Sequence, residues 1–218
     1  MTRRRAKSPS RPNNPVSFVR TAAHTFADGA FSLLELLLVL AIITILTVLS
    51  ASKLTTSARK RELAACANNL EKIYLALGFY RNDNGAYPFL PQAQTSAEPL
   101  SLLLPKGTTD TAIFICPGSG DAPLPQSQPF GKDRISYNYY MGRPTNTAPQ
   151  DILLSDWQVD TSPKKKGTQI FSLDGRKPGN NHGPDGGNLM TCGGAVVFSA
   201  SKAVQDFVFP STVKLLGP

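Results

Sequence analysis

The hydrophobic pattern of the N-terminal third changes character once along the chain. An apolar run extends from Phe31 to about Leu49 and contains one acidic residue, Glu35. From Lys53 onward, apolar residues instead recur every three or four positions, which is typical of a helix with one buried face. These positions are Leu63, Cys66, Ala67, Leu70, Ile73, Tyr74, Leu77 and Tyr80. Without an internal proline, this pattern predicts one helix from Phe31 to about Asn82.

The rest of the chain has the alternation expected of a β-rich domain. Asp83-Asn84-Gly85 is a helix-ending turn signal, since Asn and Gly accept a positive φ. Beyond it, short apolar segments alternate with Pro- and Gly-rich turns, which predicts strands. The predicted strands are Ala112 to Cys116, Ile135 to Tyr140, Ile152 to Ser155, Gln169 to Ser172, Asn188 to Met190, Ala195 to Ser199 and Asp206 to Phe209. The expected fold class is α+β, with a long N-terminal helix, membrane-spanning in its first half, packed on a small, mainly antiparallel sheet.

The charge distribution sharpens the predicted organisation. The 218-residue chain has a net charge of +8, but its first 30 residues contain six of the basic side chains and only Asp28 among the acids. Basic residues before an apolar run indicate a cytoplasmic leader. The predicted regions are a leader that is removed (1–30), a transmembrane and assembly segment (31–50), an amphipathic stem (51–82) and a globular head (83–218). The expected topology is single-pass, with the leader in the cytoplasm and the head on the other side of the membrane.

Small residues at Gly29 and Ala30 predict a cleavage site between leader and apolar run. Cleavage after Ala30 would give Phe31 a positively charged α-amino group, which could neutralise Glu35 of a neighbouring subunit. A carboxylate among apolar residues is costly unless it is paired. An ordinary secretory signal peptide is the alternative, but its apolar core is uncharged and only about 7 to 15 residues long.

Residues 29–46 resemble the class III signal of type IV pilins and type II secretion pseudopilins. The resemblance implies that a prepilin peptidase cuts before Phe31 and methylates its new N-terminus, and that Glu35 guides assembly. It implies an inner-membrane location with the head in the periplasm. It also implies a structural, non-enzymatic subunit that polymerises into a short periplasmic fibre. Its implied partners are copies of itself, related subunits, the peptidase, the membrane and an inner-membrane assembly platform. In one departure, Ala30 stands where the family usually has Gly.

Two segments of the head resemble a large branch of the same family. One runs from Asn180 to Phe198, where Cys192 takes the place of an Asp that follows a His after nine residues. The other is Phe114-Ile115-Cys116-Pro117. A lone His without a nearby second ligand makes a poor metal site, so His182 is expected to hydrogen-bond the backbone of a turn.

Three cysteines in an oxidising compartment allow one disulfide and one spare thiol. We expect Cys116 and Cys192 to lie near one another and name them as the candidate pair, with Cys66 packed on the buried helix stripe. Two unrelated packed thiols are the alternative.

The sequence contains no CxxC, no GxSxG, no GxxxxGK phosphate loop and no Cys/His set at metal-ligand spacing, which disfavours an enzyme. Resemblance to major pseudopilins makes Asp156, Asp160, Asp174 and Asp185 candidates for binding calcium in some combination. Loop carboxylates are usually just solvated, and no other cofactor is expected.

A run from Lys164 to Lys166, with Arg176 and Lys177, makes a DNA- or surface-binding minor pilin an alternative function. Nucleic acid is nevertheless not the favoured partner. A membrane-anchored enzyme or sensor is the remaining alternative.

Overall fold

The computed structural model describes residues 32–126, 129–130, 134–203 and 206–218. The chain divides into two compact units, Met1–Thr47 and Val48–Pro218. Helix α1 runs from Leu33 to Asn84, so it begins in the first unit and ends in the second. A short helix, α2 (Ala97–Leu100), follows in the second unit.

The C-terminal end of α1 follows from its turn residues. Gly85 has a φ of 74°, a left-handed conformation that glycine adopts without a steric penalty. Its backbone N–H donates to the carbonyl oxygen of Arg81 at 2.8 Å, which closes the last turn. The helix end predicted from Asp83-Asn84-Gly85 is therefore confirmed within two residues.

Gly78 inside α1 and Gly85 directly after it should respond in opposite directions to alanine. Gly78 lies inside α1 with open space where a side chain would point, so Gly78→Ala is expected to stabilise the fold by about 0.5–1 kcal/mol. Gly85 has equal space but a positive φ, so Gly85→Ala is expected to destabilise the fold by about 1 kcal/mol. Urea unfolding of both variants checks this pair, and a shift of the same sign in both would contradict it.

The second unit contains a five-stranded antiparallel sheet in the order β4-β3-β2-β1-β5. Its strands are β1 (Tyr137–Met141), β2 (Ile152–Asp156), β3 (Gly187–Thr191), β4 (Val196–Ser199) and β5 (Lys214–Leu216). Tyr137 lies opposite Asp156 in the β1–β2 pair, which places the Asp156 side chain at the end of a central strand.

Three predicted strands were wrong. Thr111–Phe114 is a 3₁₀ turn, because the Asp110 carboxylate accepts a hydrogen bond from the backbone N–H of Ala112 and caps it. The predicted strands at 169–172 and 206–209 form only isolated bridges, through Gln169 and Phe207. Strand β5 was not predicted, since three residues are too few to show a period of two.

Two clusters of buried side chains hold the second unit together. The larger one joins the α1 stripe to residues of β1, β2, β3 and β5, and it includes Cys66, Leu70, Ile73, Leu77, Tyr137, Tyr139 and Met141. The smaller one includes Tyr140, Ile152, Phe171 and Leu215. Successive residues of a strand point to opposite faces, so β1 contributes to both clusters. The stripe predicted from the spacing of three and four is confirmed at its central positions.

Within the described part of the chain, no helix is both long enough and apolar enough to cross a membrane. The predicted fold class included a membrane-spanning helix, and that part of the prediction is wrong. The predicted transmembrane segment 31–50 and single-pass inner-membrane location are corrected by the same finding. The predicted antiparallel sheet is present.

Candidate functional site

The first candidate site is a row of exposed apolar side chains on the N-terminal part of α1. Leu33 and Leu34 are 77% and 76% exposed, and the residues that follow remain between 43% and 67% exposed. The row also contains Leu36, Leu37, Leu38, Val39, Leu40, Ile42, Ile43, Ile45, Leu46, Val48 and Leu49. An exposed apolar surface of this extent is typical of an interaction site.

Glu35 lies in the first turn of α1 and is exposed within this row. Its position is favourable in the isolated helix, because a negative charge near a helix N-terminus is stabilised by the helix dipole. The proposed cleavage and methylation positions, Ala30 and Phe31, lie outside the described residues.

The second candidate site is a buried cluster of four side chains from four separate elements. Cys66 lies on α1, Cys116 follows the 3₁₀ turn Thr111–Phe114, Asp156 ends β2 and His182 precedes the 3₁₀ turn Gly183–Asp185. All four residues are at most 3% exposed. One ligand-type atom from each of them lies within 4.8 Å of all the others.

The structure pairs Cys116 with Cys66 rather than with Cys192. The two sulfurs form a disulfide with a Cα–Cα separation of 5.2 Å, within the usual range. The loop that contains Cys116 is held against α1, because the Asn69 side-chain amide donates to the carbonyl oxygen of Ile115 at 3.0 Å. The predicted pairing of Cys116 with Cys192 is therefore corrected.

Cys192 remains a free thiol at the turn between β3 and β4. Its carbonyl oxygen accepts a hydrogen bond from the Tyr74 hydroxyl, and its backbone N–H donates to Asp151, so the turn is fixed at a different place from the loop of Cys116. Burial raises the pKa of this thiol to about 11, which leaves little thiolate at neutral pH. Cys192 is thus a poor partner for disulfide exchange.

Asp156 is fully buried and is the hub of hydrogen bonding in the cluster. Its Oδ2 accepts from the backbone N–H of Asn188 at 2.7 Å, and its Oδ1 accepts from the Asn181 side-chain amide at 3.1 Å. The same amide donates to the carbonyl oxygen of Ser136 at 2.7 Å. These hydrogen bonds fix the Asp156 carboxylate in one orientation. Burial and the neighbouring Asp156 charge also raise the pKa of Tyr137 well above its ordinary value.

His182 faces both the carboxylate and the disulfide. Its Nε2 lies 3.2 Å from Asp156 Oδ2 and 3.4 Å from Cys116 Sγ. Its Nδ1 has no hydrogen-bond partner among the described residues. The expectation that His182 hydrogen-bonds turn backbone is corrected, because the side chain points into the protein interior rather than toward the turn.

The four calcium candidates do not come together. Asp156 belongs to the buried cluster, whereas Asp160 pairs with Lys164 and Asp174 accepts from Ser172. Asp185 lines a surface pocket instead. Lys164 is only 3% exposed and paired with Asp160, so the run from Lys164 to Lys166 presents two exposed cations rather than three.

Sequence reasoning singled out each member of the cluster but did not place them together. It placed Cys66 in core packing, Cys116 in a different disulfide and His182 at a turn. Asp156 was one of four calcium candidates, with a solvated loop carboxylate as the favoured interpretation. No spacing motif connects positions 66, 116, 156 and 182, because each comes from a different element. The Phe-x-Cys-Pro turn contains Cys116, and the Asn-Asn-His segment contains His182. Neither segment shows from the sequence alone that these two residues meet in the folded chain.

The chain was compared with family models, curated proteins and solved structures. No family model, curated protein or solved structure matches the chain. The resemblance to pilin-like proteins therefore depends on the sequence motifs alone.

Proposed function

We propose that this chain is a pilin-like structural subunit, of the type II secretion pseudopilin kind, that assembles with copies of itself through the N-terminal part of α1. The observation that carries the proposal is the exposed apolar row from Leu33 to Leu49. The proposed role is structural rather than enzymatic.

Burial of this row supplies the driving force for association. Covering a leucine or isoleucine side chain that was in water is worth about 1.5–3 kcal/mol. Thirteen large apolar side chains of the row are exposed. Part of that gain offsets the lost freedom of the subunits, and the remainder favours a multimer. Because every copy carries the same row, packed copies of α1 bury it by ordinary helix-to-helix contacts.

The second unit offers no comparable surface among its described residues beyond Val48 and Leu49. Its other exposed large apolar side chains are Leu75, Phe79, Phe89, Leu102, Leu173, Val197, Phe198 and Val208. Most of these are separate in sequence, and single exposed apolar side chains are normal on folded proteins. This contrast favours the N-terminal part of α1 as the interface.

Glu35 gives the proposed interface its selectivity. A carboxylate inside an apolar helix contact is costly unless an opposite charge lies beside it. The α-amino group created by cleavage before Phe31 is such a charge, and it lies only four residues away in sequence. Cleavage by a prepilin peptidase would thus permit assembly, because the uncut chain lacks this amine.

The experiment compares two matched pairs of substitutions on α1 in the full processed chain. Leu38 and Ile42 are 59% and 48% exposed, and Leu75 and Phe79 are 61% and 62% exposed, both at a spacing of four. Asparagine at Leu38 and Ile42 is expected to lower the multimeric fraction at least about tenfold, as loss of about 1.4 kcal/mol would. Asparagine at Leu75 and Phe79 should leave it unchanged. Sedimentation velocity and negative-stain electron microscopy measure the outcome.

A processed chain that stays monomeric, or equal losses from both pairs of substitutions, would contradict the proposal. The cleavage step is checked separately by intact mass after co-expression with a prepilin peptidase. The expected N-terminus is Phe31, and a start near Ser52 or an uncut Met1 would show that the leader is handled differently. Glu35→Gln should keep the fold and processing while reducing the multimeric fraction.

A further inference from the structure

We propose that Cys66, Cys116, Asp156 and His182 bind one zinc-class metal ion when the Cys66–Cys116 disulfide is reduced. The disulfide and the metal complex are then two alternative states of one buried site. This inference is independent of assembly through α1, because all four residues belong to the unit Val48–Pro218.

The separations between donor atoms suit a tetrahedral ion. Zinc lies about 2.0 Å from nitrogen or oxygen ligands and about 2.3 Å from sulfur. In a tetrahedron those bonds place nitrogen about 3.3 Å from oxygen and about 3.5 Å from sulfur. The observed distances from His182 Nε2 are 3.2 Å to Asp156 Oδ2 and 3.4 Å to Cys116 Sγ. The two sulfurs must move apart to about 3.8 Å once their bond is broken. No pair of the four donor atoms is more than 4.8 Å apart, so closing the remaining gaps takes shifts of about 1 Å.

The donor types favour zinc over the calcium considered from the sequence. Two thiolates and an imidazole are ligands of a borderline-soft ion, whereas calcium takes six to eight oxygen ligands. Among the four residues only Asp156 offers oxygen. Four protein ligands fill a tetrahedral site, so the ion would have no open position for a substrate. The role that follows is structural.

The surroundings hold the donors as a metal site requires. Asp156 is oriented by Asn181 and by the backbone of Asn188, which are contacts around a ligand of the kind that tune metal affinity. Burying a carboxylate and an imidazole beside a disulfide costs free energy that the disulfide does not return. A metal ion bound here would be coordinated by both the carboxylate and the imidazole, and this coordination would offset the cost of burying them.

An external dithiol supplies the electrons and protons needed to convert the disulfide into two thiols. The dithiol transfers two electrons and two protons to Cys66 and Cys116, which become thiols, and is itself oxidised to a disulfide. Metal binding then displaces the two thiol protons, since the ligands are thiolates. A surface pocket of about 260 Å³, lined by Arg59, Lys60 and Leu63, reaches His182 and provides an approach to the cluster.

The test uses the full chain in its oxidised and reduced forms. Dithiothreitol reduces the protein, and anaerobic gel filtration removes the reductant before zinc is added. The reduced chain is expected to retain about one zinc per chain and the oxidised chain less than about a tenth of that. Cobalt in place of zinc should give the visible bands of a tetrahedral complex and a thiolate charge-transfer band. A reduced wild-type chain that binds no zinc, whether folded or unfolded, overturns the proposal.

Variants under the same reducing conditions locate the ion. Cys116→Ser and His182→Gln are expected to weaken zinc binding at least about tenfold, whereas Cys192→Ser removes the free thiol outside the cluster and should leave binding unchanged. Near-ultraviolet circular dichroism before zinc addition compares the fold of the three variants. Equal loss of zinc in Cys192→Ser, or full retention in both cluster variants, overturns the assignment.

Discussion

Serine at Cys116 is expected to lower the free energy of unfolding by about 4 kcal/mol in non-reducing buffer. The disulfide connects residues separated by 50 positions, and treating it as a restraint on the unfolded chain gives this magnitude for a loop of that length. The substitution also leaves Cys66 as a buried thiol without its partner. For a domain of this size, 4 kcal/mol is a large share of the total stability.

Cys192→Ser is the matched control for this prediction. It also replaces a thiol by a hydroxyl, but Cys192 forms no disulfide and is only partly buried. Urea unfolding followed by far-ultraviolet circular dichroism measures both variants against the wild-type chain. A midpoint that falls as far for Cys192→Ser as for Cys116→Ser would contradict the assigned pairing. Reduction of the wild-type chain in the absence of added metal should reproduce most of the loss seen in Cys116→Ser.

Asp156→Ala is expected to destabilise the fold by at least about 3 kcal/mol. The substitution removes the acceptor for the Asn188 backbone N–H and the Asn181 amide, and it removes the group facing His182 Nε2. Each buried donor left without a partner costs about 1–3 kcal/mol. Alanine also leaves a void at the end of a central strand, which adds to the loss.

Asp174→Ala provides the comparison, because Asp174 also accepts local hydrogen bonds but lies at the surface. Its hydrogen bonds come from Ser172 and the backbone of Arg176, and solvent can replace them. We expect little change in the urea midpoint for this variant. If Asp156→Ala were as mild as Asp174→Ala, the hydrogen bonds around Asp156 would not have the energetic role inferred from their burial.

The parts of the fold predicted correctly are those encoded by local chemistry. The end of α1 depends on one glycine with a positive φ, and its buried face depends on a repeat that continues over several turns. Strands β1, β2, β3 and β4 were predicted within a few residues, because β-branched and aromatic residues lie between clear turn signals. The 3₁₀ turn at 111–114 was missed although Asp110 is a capping residue, since its apolar residues also suit a strand.

The cluster around Asp156 was out of reach of sequence reasoning for a different reason. Its geometry is created by β2, by a loop held against α1 through Asn69, and by the segment that Asn181 ties to Ser136. These contacts join residues 45 or more positions apart, so no local pattern records them.

The disulfide between Cys66 and Cys116 also determines how the chain would carry mechanical tension. A pull between the N-terminal part of α1 and the C-terminal strand passes from Cys66 directly to Cys116 through the covalent bond. Residues 67–115, which include the rest of α1 and all of α2, then lie on a closed loop that bears no load. Compared with the chain whose disulfide is reduced, the fully extended length available under tension is shorter by roughly 170 Å. A chain pulled in this way would therefore keep the C-terminal part of α1 helical, because the force passes through the disulfide and not through that part of the helix.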